Sequence, residues 1–337
     1  MIQDAIQAVV EGQSLSSDQA AAAMDEIMSG EATPAQFGAL VTALRMKGET
    51  VDEIAGMARS MRERSLHVPA AGKLVDTAGT GGDSSGSFNI STTAAFVVAG
   101  AGEKVAKHGN RSMSGSTGSA DVLEALGVKI DLSPESVARC IDEVGFGFMF
   151  AQGFHPSMRF AAGPRREIGI RTVFNILGPL TNPANASRQL IGVADPSTAE
   201  RMALVLGQLG SEKALVVHGS DGMDEMTITG PSTVWQLENG EVSSYEFSPE
   251  ELGFSLSDAD SIRADGPNDS ARIARAVLSG EPGPARLVVL LNAAAALVAA
   301  GSVDTLAAAI HVAASSIDTG EAMNRLDALV ELSQELE

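Results

Sequence analysis

The stretch DTAGTGGDSSGSFNIST, residues 76–92, holds four glycines, four serines and three threonines, and its only charged side chains are Asp76 and Asp83. A run with so few apolar side chains cannot form a core. The residues before it, Lys73–Asp76, read as a short strand, and those after it, Thr92–Ala101, read as a helix. The run is therefore a strand-to-helix loop, and in open α/β sheets ligands bind at the carboxyl ends of strands. Gly79, Gly81 and Gly82 let backbone amides approach an anion. Asn89, Ser91 and Thr92 add polar groups at the helix start, where unpaired N–H groups and the dipole favour phosphate. On this segment alone a flexible glycine turn stays open. Two common nucleotide fingerprints fail: GTGGDS lacks the third glycine of G-x-G-x-x-G, and G-x-x-x-x-G-K-[ST] is absent.

Outward from this loop the chain divides by periodicity. Residues 1 to about 65 read as amphipathic helices with capping boxes at Ser16/Gln19, Thr33/Gln36 and Thr50/Glu53. Gly30 and Gly48 stand where a left-handed stop is expected. From about residue 73, strands are expected at Lys73–Asp76, Lys104–Ala106, Val128–Ile130, Phe146–Ala151, Gln189–Ala194 and Lys213–His218. Helical stretches such as Ala120–Leu126 and Pro134–Val144 alternate with them, which argues for an α/β sheet flanked by helices. Asn239-Gly240 between alternating runs predicts a hairpin, and residues 268–337 read as helices. The apolar stretch Ala285–Gly301, interrupted by Asn292, reads as a buried helix and is short of a confident membrane span.

The 337 residues carry a formal charge of −20, with 43 acids against 23 Lys and Arg, and only 4% aromatics. Such a chain repels nucleic acid and anionic membranes, which bind through basic side chains, and it has few rings on which bases could stack. The single cysteine, Cys140, excludes a disulfide framework and a cysteine metal cluster. The opening MIQDAIQAVVEG has no basic-then-apolar signal pattern, so a reducing cytoplasm is expected.

A small anion can still bind where the few cations gather. Lys104–Gly127 repeats the strand, Gly/Ser loop, helix design with Lys107, His108 and Arg111. No acid occurs from Lys104 to Ala120, and none from Val144 to Arg166, where Arg159, Arg165 and Arg166 stand. Both stretches are expected to form local positive pockets. A third loop, VVHGSDGMDEMTITG at Val216–Gly230, carries Asp224 and Glu225 just past a strand. Adjacent carboxylates are usually a solvated pair, but beside two phosphate-type loops they suit Mg²⁺. His155 and His218 read as structural.

The motifs DTAGTGGD, FNIST, KHGNR, GSADVLEALG, FHPSM, RREIGIRTVFNILGPLTNP and GMDEM, in this order over nearly the whole chain, resemble the anthranilate phosphoribosyltransferase family. The resemblance implies a nucleoside phosphorylase-like architecture. A small helical domain, residues 1–68 with a returning segment near 165–180, would join a large α/β domain, 70–164 and 181–337, built on a mixed sheet. It implies a homodimer formed through the helical domain. The implied reaction joins anthranilate to phosphoribosyl pyrophosphate with Mg²⁺, giving N-(5-phosphoribosyl)anthranilate and pyrophosphate.

By the same resemblance Gly79, Gly82, Asp83, Ser87, Asn89, Ile90, Ser91 and Thr92 would bind phosphoribosyl pyrophosphate. Lys107, His108, Gly109, Asn110, Arg111, Ser112, Met113, Ser114, Gly115 and Ser119 would complete that site. Gly79, Asn110 and Arg165 would hold anthranilate, with His108 beside it, and Ser91, Asp224 and Glu225 would hold Mg²⁺. The family usually shows two serines where Ser114-Gly115 stands, but the Gly115 amide can still donate to phosphate. No general base stands out, and none is required, because an aromatic amine is neutral at pH 7. Lys107 and Arg165 are expected to stabilise charge and aim the substrate.

Two other readings are weaker. A pyrimidine nucleoside phosphorylase would carry a Ser-Ile-Met-Ser-Lys-Lys run, which is absent. A non-catalytic nucleic-acid binder conflicts with the charge and with the Asp224-Glu225 pair.

Overall fold

In the computed structural model, residues 1–112 and 117–336 are described. Strands β1 (Leu74–Gly79), β2 (Lys104–Gly109), β3 (Phe146–Phe150), β4 (Arg188–Gly192), β5 (Lys213–Gly219), β6 (Ser232–Glu238) and β7 (Glu241–Phe247) form one sheet in the order β3-β2-β1-β4-β5-β6-β7. The first five run parallel, while β6 and β7 are antiparallel, joined at Asn239 and Gly240 with φ of 54° and 81°. Both turn residues having positive φ is the signature of a tight hairpin turn. The chain runs from β1 to one edge through β2 and β3, then restarts beside β1 with β4. The switch point therefore falls between β1 and β4.

Helices α1 (Ile2–Val10), α2 (Ser17–Ser29), α3 (Pro34–Lys47) and α4 (Val51–Glu63) form the N-terminal unit, and each of the three expected capping boxes closes both of its hydrogen bonds. Gly30 ends α2 in the left-handed region; Gly48 has φ 89° but ψ 121°, so α3 ends by turning outward instead. Glu53 is fully buried and ties this unit together. Its carboxylate accepts from Leu15 N, Thr50 N and Lys47 Nζ at 2.9, 2.8 and 3.0 Å, so no oxygen is left without a partner in the interior.

The remaining helices are α5 (Ile90–Gly100), α6 (Ser119–Leu126), α7 (Pro134–Val144), α8 (Ala151–Phe154), α9 (Arg159–Ile168), α10 (Phe174–Leu177), α11 (Ala199–Gln208), α12 (Pro267–Leu278), α13 (Pro284–Ala300), α14 (Leu306–Asp318) and α15 (Glu321–Glu335). Period-2 alternation sorts the sheet faces. Leu190, Leu215 and Val217 join the core under α5 and α12–α15, whereas Ile191, Val193, Ala214 and Val216 join the core of α11 and the N-terminal helices. The segment 159–180 packs onto the N-terminal unit, with Phe174 5.3 Å from Phe37 between ring centroids and Arg62 Nε donating to Leu180 O at 2.7 Å.

Val128–Ile130 is not a strand. Its backbone is engaged elsewhere: Val128 N donates to Leu123 O as α6 ends, and Lys129 N donates to Ser333 Oγ of α15. Two of its three backbone donors are therefore turned to helices rather than to β3.

Candidate functional site

The carboxyl ends of β1, β2, β4 and β5 meet at the switch point. Gly79 of β1 pairs in register with Gly192 of β4. A Cβ on Gly79 would lie 2.4 Å from Asp224 Oδ2, and one on Gly192 would lie 1.5 Å from the Asp224 carbonyl oxygen. Two glycines on neighbouring strands thus leave room for the Asp224-Glu225 loop to cross the strand ends. The glycine loop then fastens the first carboxylate, as Gly81 N donates to Asp224 Oδ2 at 2.7 Å.

Lys107 is the buried cation of this floor, at 1% exposure. Its Nζ donates to Thr77 O, and lies 3.2 Å from both Thr77 Oγ1 and Ser91 Oγ. Burial lowers its pKa to about 8, against the opposing pull of Asp76 and Glu225. Asp76, fully buried behind it, is raised by burial to about 6, and it accepts from Asn182 Nδ2 at 2.7 Å and His108 N at 3.2 Å. Burial also raises Asp224 to about 6 and holds Glu225 well above the usual carboxylate range; neighbouring carboxylates, Asp83 among them, add to both rises. Asp224 and Glu225 keep some contact with solvent, so the raised values reflect depth in the cleft and mutual repulsion together.

The expected positive pockets are therefore only partly realised. Arg111 is neutralised by Asp121 and Glu124, which follow it on α6. The cleft floor instead sets Asp76 and Glu225 beside Lys107, with Asp83 and Asp224 next to Glu225. Absence of acids along the chain did not mean their absence in space, because β1 and the loop after β5 bring them in from elsewhere.

A desolvated set of hard oxygens with one ammonium as its counter-charge fits a divalent cation. Among the described residues no three His, Cys, Asp or Glu side chains form a ready-made cage. Asp224 and Glu225 offer the one or two carboxylates by which Mg²⁺ is held when substrate phosphates and water complete its shell. The Ser91 backbone lies close enough to Glu225 to oppose the rise in its pKa, so Ser91 stands beside the Asp224-Glu225 pair.

The other sequence-expected residues divide by role. Asn89 caps α5 by accepting from Thr92 N at 3.0 Å and donates from Nδ2 to Thr117 O at 2.9 Å, so it joins the two Gly/Ser loops. Ile90 and Thr92 are buried, and the Thr92 N–H is already taken by the Asn89 cap. Ser87 pairs with Arg263 through an isolated bridge. Gly109 needs to be glycine, since a Cβ would lie 2.9 Å from Ser119 Cβ. Asn110 is exposed, with Oδ1 accepting from Arg111 N at 2.8 Å. Ser112 N donates to Asp121 Oδ2 at 3.0 Å. Met113, Ser114 and Gly115 lie outside the described residues.

His108 and His155 are both buried, with ring centroids 5.0 Å apart. Burial drives both well below the ordinary histidine range, His155 to about 4, so both are neutral at pH 7. Arg165, on α9, lies 5.2 Å over the Phe174 ring and is lowered by desolvation. Beside Gly82 opens a cavity of about 190 Å³, lined by Thr80, Arg171, Asn175 and Asp195 together with Arg45 and Glu49 of the N-terminal unit. Sequence reading did not single out Thr77, Asn182, Gly192 or Arg171 as site residues.

The description "Glycosyl transferase family, a/b domain" matches residues 71–323, and "Glycosyl transferase family, helical bundle domain" matches residues 3–65. A relative from Moorella thermoacetica named anthranilate phosphoribosyltransferase is 60% identical over 331 residues, 98% of each chain. One of the same name from Symbiobacterium thermophilum is 57% identical, covering 97% of this chain and 96% of its own. The crystal structure of anthranilate phosphoribosyltransferase from Thermus thermophilus superposes with a TM-score of 0.94 at 42% identity, over 98% of this chain and 99% of that one. The Saccharomyces cerevisiae enzyme in complex with PRPP and Mg gives 0.91 at 26% identity, over 99% and 98%.

Proposed function

The chain belongs to the anthranilate phosphoribosyltransferase family, and from that premise we propose how its own residues carry out the reaction. It is a phosphoribosyltransferase of tryptophan synthesis: it moves the phosphoribosyl group of phosphoribosyl pyrophosphate to the amine of anthranilate and releases pyrophosphate. The observation that carries the assignment of residues is the convergence of the glycine loop, Lys107 and the Asp224-Glu225 pair at one switch point.

The turn at Gly79 to Asp83 and the α5 start, with Ser87, Asn89, Ile90, Ser91 and Thr92, bind the pyrophosphate and ribose phosphate. Lys107 to Ser112 and Ser119 close the other side. Ser91, Asp224 and Glu225 hold Mg²⁺, with Asp83 adjoining. When bound, Mg²⁺ supplies positive charge to the oxygens of the leaving pyrophosphate. Lys107 stabilises the same developing charge from within the protein, where its low-dielectric surroundings strengthen the interaction. Asp76 and Asn182 hold the β2 end that carries Lys107 and His108. The C–N bond forms as the C–O bond to pyrophosphate breaks through an oxocarbenium-like state. The neutral aromatic amine needs no prior deprotonation, and the ammonium it becomes then gives its proton to the released pyrophosphate or to water. Arg165, with Asn110 and Gly79, clamps the anthranilate carboxylate and aims the amine.

In this reading residues 1–68 with the segment near 165–180 form one working unit, and 70–164 with 181–337 the other. The enzyme is a homodimer through the helical unit. Met1, Val10, Met46 and Leu66, with Phe160 and Ile170, are six of the nine large apolar side chains exposed among the described residues, which supports a partner on this side. No helix among the described residues is long and apolar enough to cross a membrane. The free, buried Cys140 supports the cytoplasm as its place of work.

Loss of anthranilate fluorescence in the presence of phosphoribosyl pyrophosphate and Mg²⁺ tests the assignment. The wild type consumes anthranilate, and Arg165→Ala raises the anthranilate KM about 10–100-fold, the worth of a charge-assisted bidentate contact. The KM for phosphoribosyl pyrophosphate moves little. An unchanged anthranilate KM would remove Arg165 from the acceptor site.

A further inference from the structure

Helix α13 is buried without interruption from Val288 to Ala300, and Asn292 is its only polar side chain over that span. Its amide is fully committed. Oδ1 accepts from Met226 N at 2.9 Å, and Nδ2 donates to both Met226 O and Val288 O at 2.9 Å. Asn292 therefore engages both backbone groups of the residue next to Glu225, as a neighbouring strand would. An amide placed in an apolar helix is tolerated only because every one of these bonds is made.

The loop it grips is also held by Gly219 N, which donates to Met223 O at 2.9 Å, by Gly81 N, which donates to Asp224 Oδ2 at 2.7 Å, and by bonds along its outer side. Asp221 accepts from Thr227 Oγ1 and Thr229 Oγ1 at 2.6 and 2.7 Å, and Thr227 N donates to Ser232 Oγ at 2.9 Å. Between Met223 and Thr227, the inner side of the loop is tied to the core by Asn292. The Asp224 carbonyl meanwhile presses against Gly192, so a shift at Met226 moves the carboxylates directly.

We propose that Asn292 is a positioning residue for the known reaction: from the far face of the sheet it fixes Met226 and so sets the placement of the Asp224 and Glu225 carboxylates. This inference rests on the reading that those carboxylates hold Mg²⁺. Asn292 touches no reacting atom; it acts through the loop, as outer-shell partners orient metal ligands.

Asn292→Leu keeps the size but neither accepts from Met226 N–H nor donates to Met226 O. Asn292→Ser loses the bidentate grip and is the second variant should the first not fold. Leu291→Ala, a buried neighbour on α13, is the control for simple core damage. Two quantities are measured: hydrogen exchange at residues 223–229, and the Mg²⁺ concentration at which phosphoribosyl pyrophosphate binds half-maximally in calorimetry. The Asn292 variants accelerate exchange in that segment and raise the Mg²⁺ requirement about tenfold or more, with the anthranilate KM unchanged. Leu291→Ala, at equal loss of thermal stability, leaves both quantities near wild type. The inference is overturned if the Asn292 variants keep wild-type exchange in 223–229, or if Leu291→Ala shifts the Mg²⁺ requirement as much as they do. If exchange accelerates while Asp224→Asn/Glu225→Gln leaves the Mg²⁺ requirement unchanged, the clamp on Met226 stands, but the metal reading fails and the catalytic role of Asn292 fails with it.

Discussion

Lys107→Met lowers kcat/KM for phosphoribosyl pyrophosphate by about 10²–10³-fold, the usual cost of removing one preorganised charge stabiliser, and the variant still folds. The side chain is 1% exposed, so its charge acts in a site where water screens it poorly. Removing it leaves Asp76 without its main counter-charge. Asp76 already has a pKa raised to about 6, so it answers by taking up a proton rather than remaining an unpaired buried charge. Lys107→Arg does not rescue, because a cavity shaped for an ammonium against Thr77 and Ser91 has no room for a guanidinium fork.

The same residue sets a pH dependence. Its folded pKa lies at about 8, so the protonated form that stabilises the leaving group is lost as pH rises through that value. The wild-type kcat/KM profile falls with an alkaline limb near 8, and the limb is missing in Lys107→Met. The apparent value belongs to the coupled group of Lys107, Asp76 and Glu225 rather than to one residue. A Lys107→Met enzyme within about threefold of wild type would contradict an electrostatic contribution of this size.

Gly192→Ala is the second large effect. The new Cβ would stand 1.5 Å from the Asp224 carbonyl oxygen and 2.4 Å from its carbon, so backbone must move. Gly192 is held between Gly79 of β1 and Val217 of β5, so the Asp224-Glu225 loop is what yields. Overpacking of this kind costs about 1–3 kcal/mol, sometimes more, and the displaced carboxylates lower kcat/KM by about 100-fold, as an ångström of misplacement can. A differential scanning calorimetry trace shows a lowered but single transition, and steady-state rates show the loss. Gly207→Ala is the comparison: its Cβ would meet only the tip of Leu237 at 3.3 Å, and its activity stays close to wild type. Equal activity in the two variants would mean that the close approach at Gly192 does not govern the carboxylates.

The sequence disclosed the parts of this site that are continuous in the chain. The run 76–92 is legible because glycines, hydroxyls and a helix start follow one another within a single strand-to-helix passage. The alternation of strands and helices discloses the α/β class for the same reason. What stayed hidden depends on contacts between distant residues. Gly192 looks like the end of an apolar strand until Asp224, 32 residues later, crosses it. Asp76 opens the run as an ordinary acid, and only the approach of Asn182 and the β2 end makes it a buried brace. Val128–Ile130 has the composition of a strand, but Ser333 takes its backbone donor. The paired state of Arg111 was also hidden: the stretch Lys104–Ala120 contains no acid, and α6 folds Asp121 and Glu124 back upon Arg111.

Calorimetric titration of phosphoribosyl pyrophosphate into the wild type and into Asp224→Asn/Glu225→Gln, each with and without Mg²⁺, bears most directly on the switch-point site. The wild type binds more tightly in Mg²⁺, by about 10-fold or more, and the double variant binds to the same degree with and without the ion. A double variant that keeps the full wild-type Mg²⁺ dependence would contradict the assignment of the metal and the pyrophosphate to this pair of carboxylates.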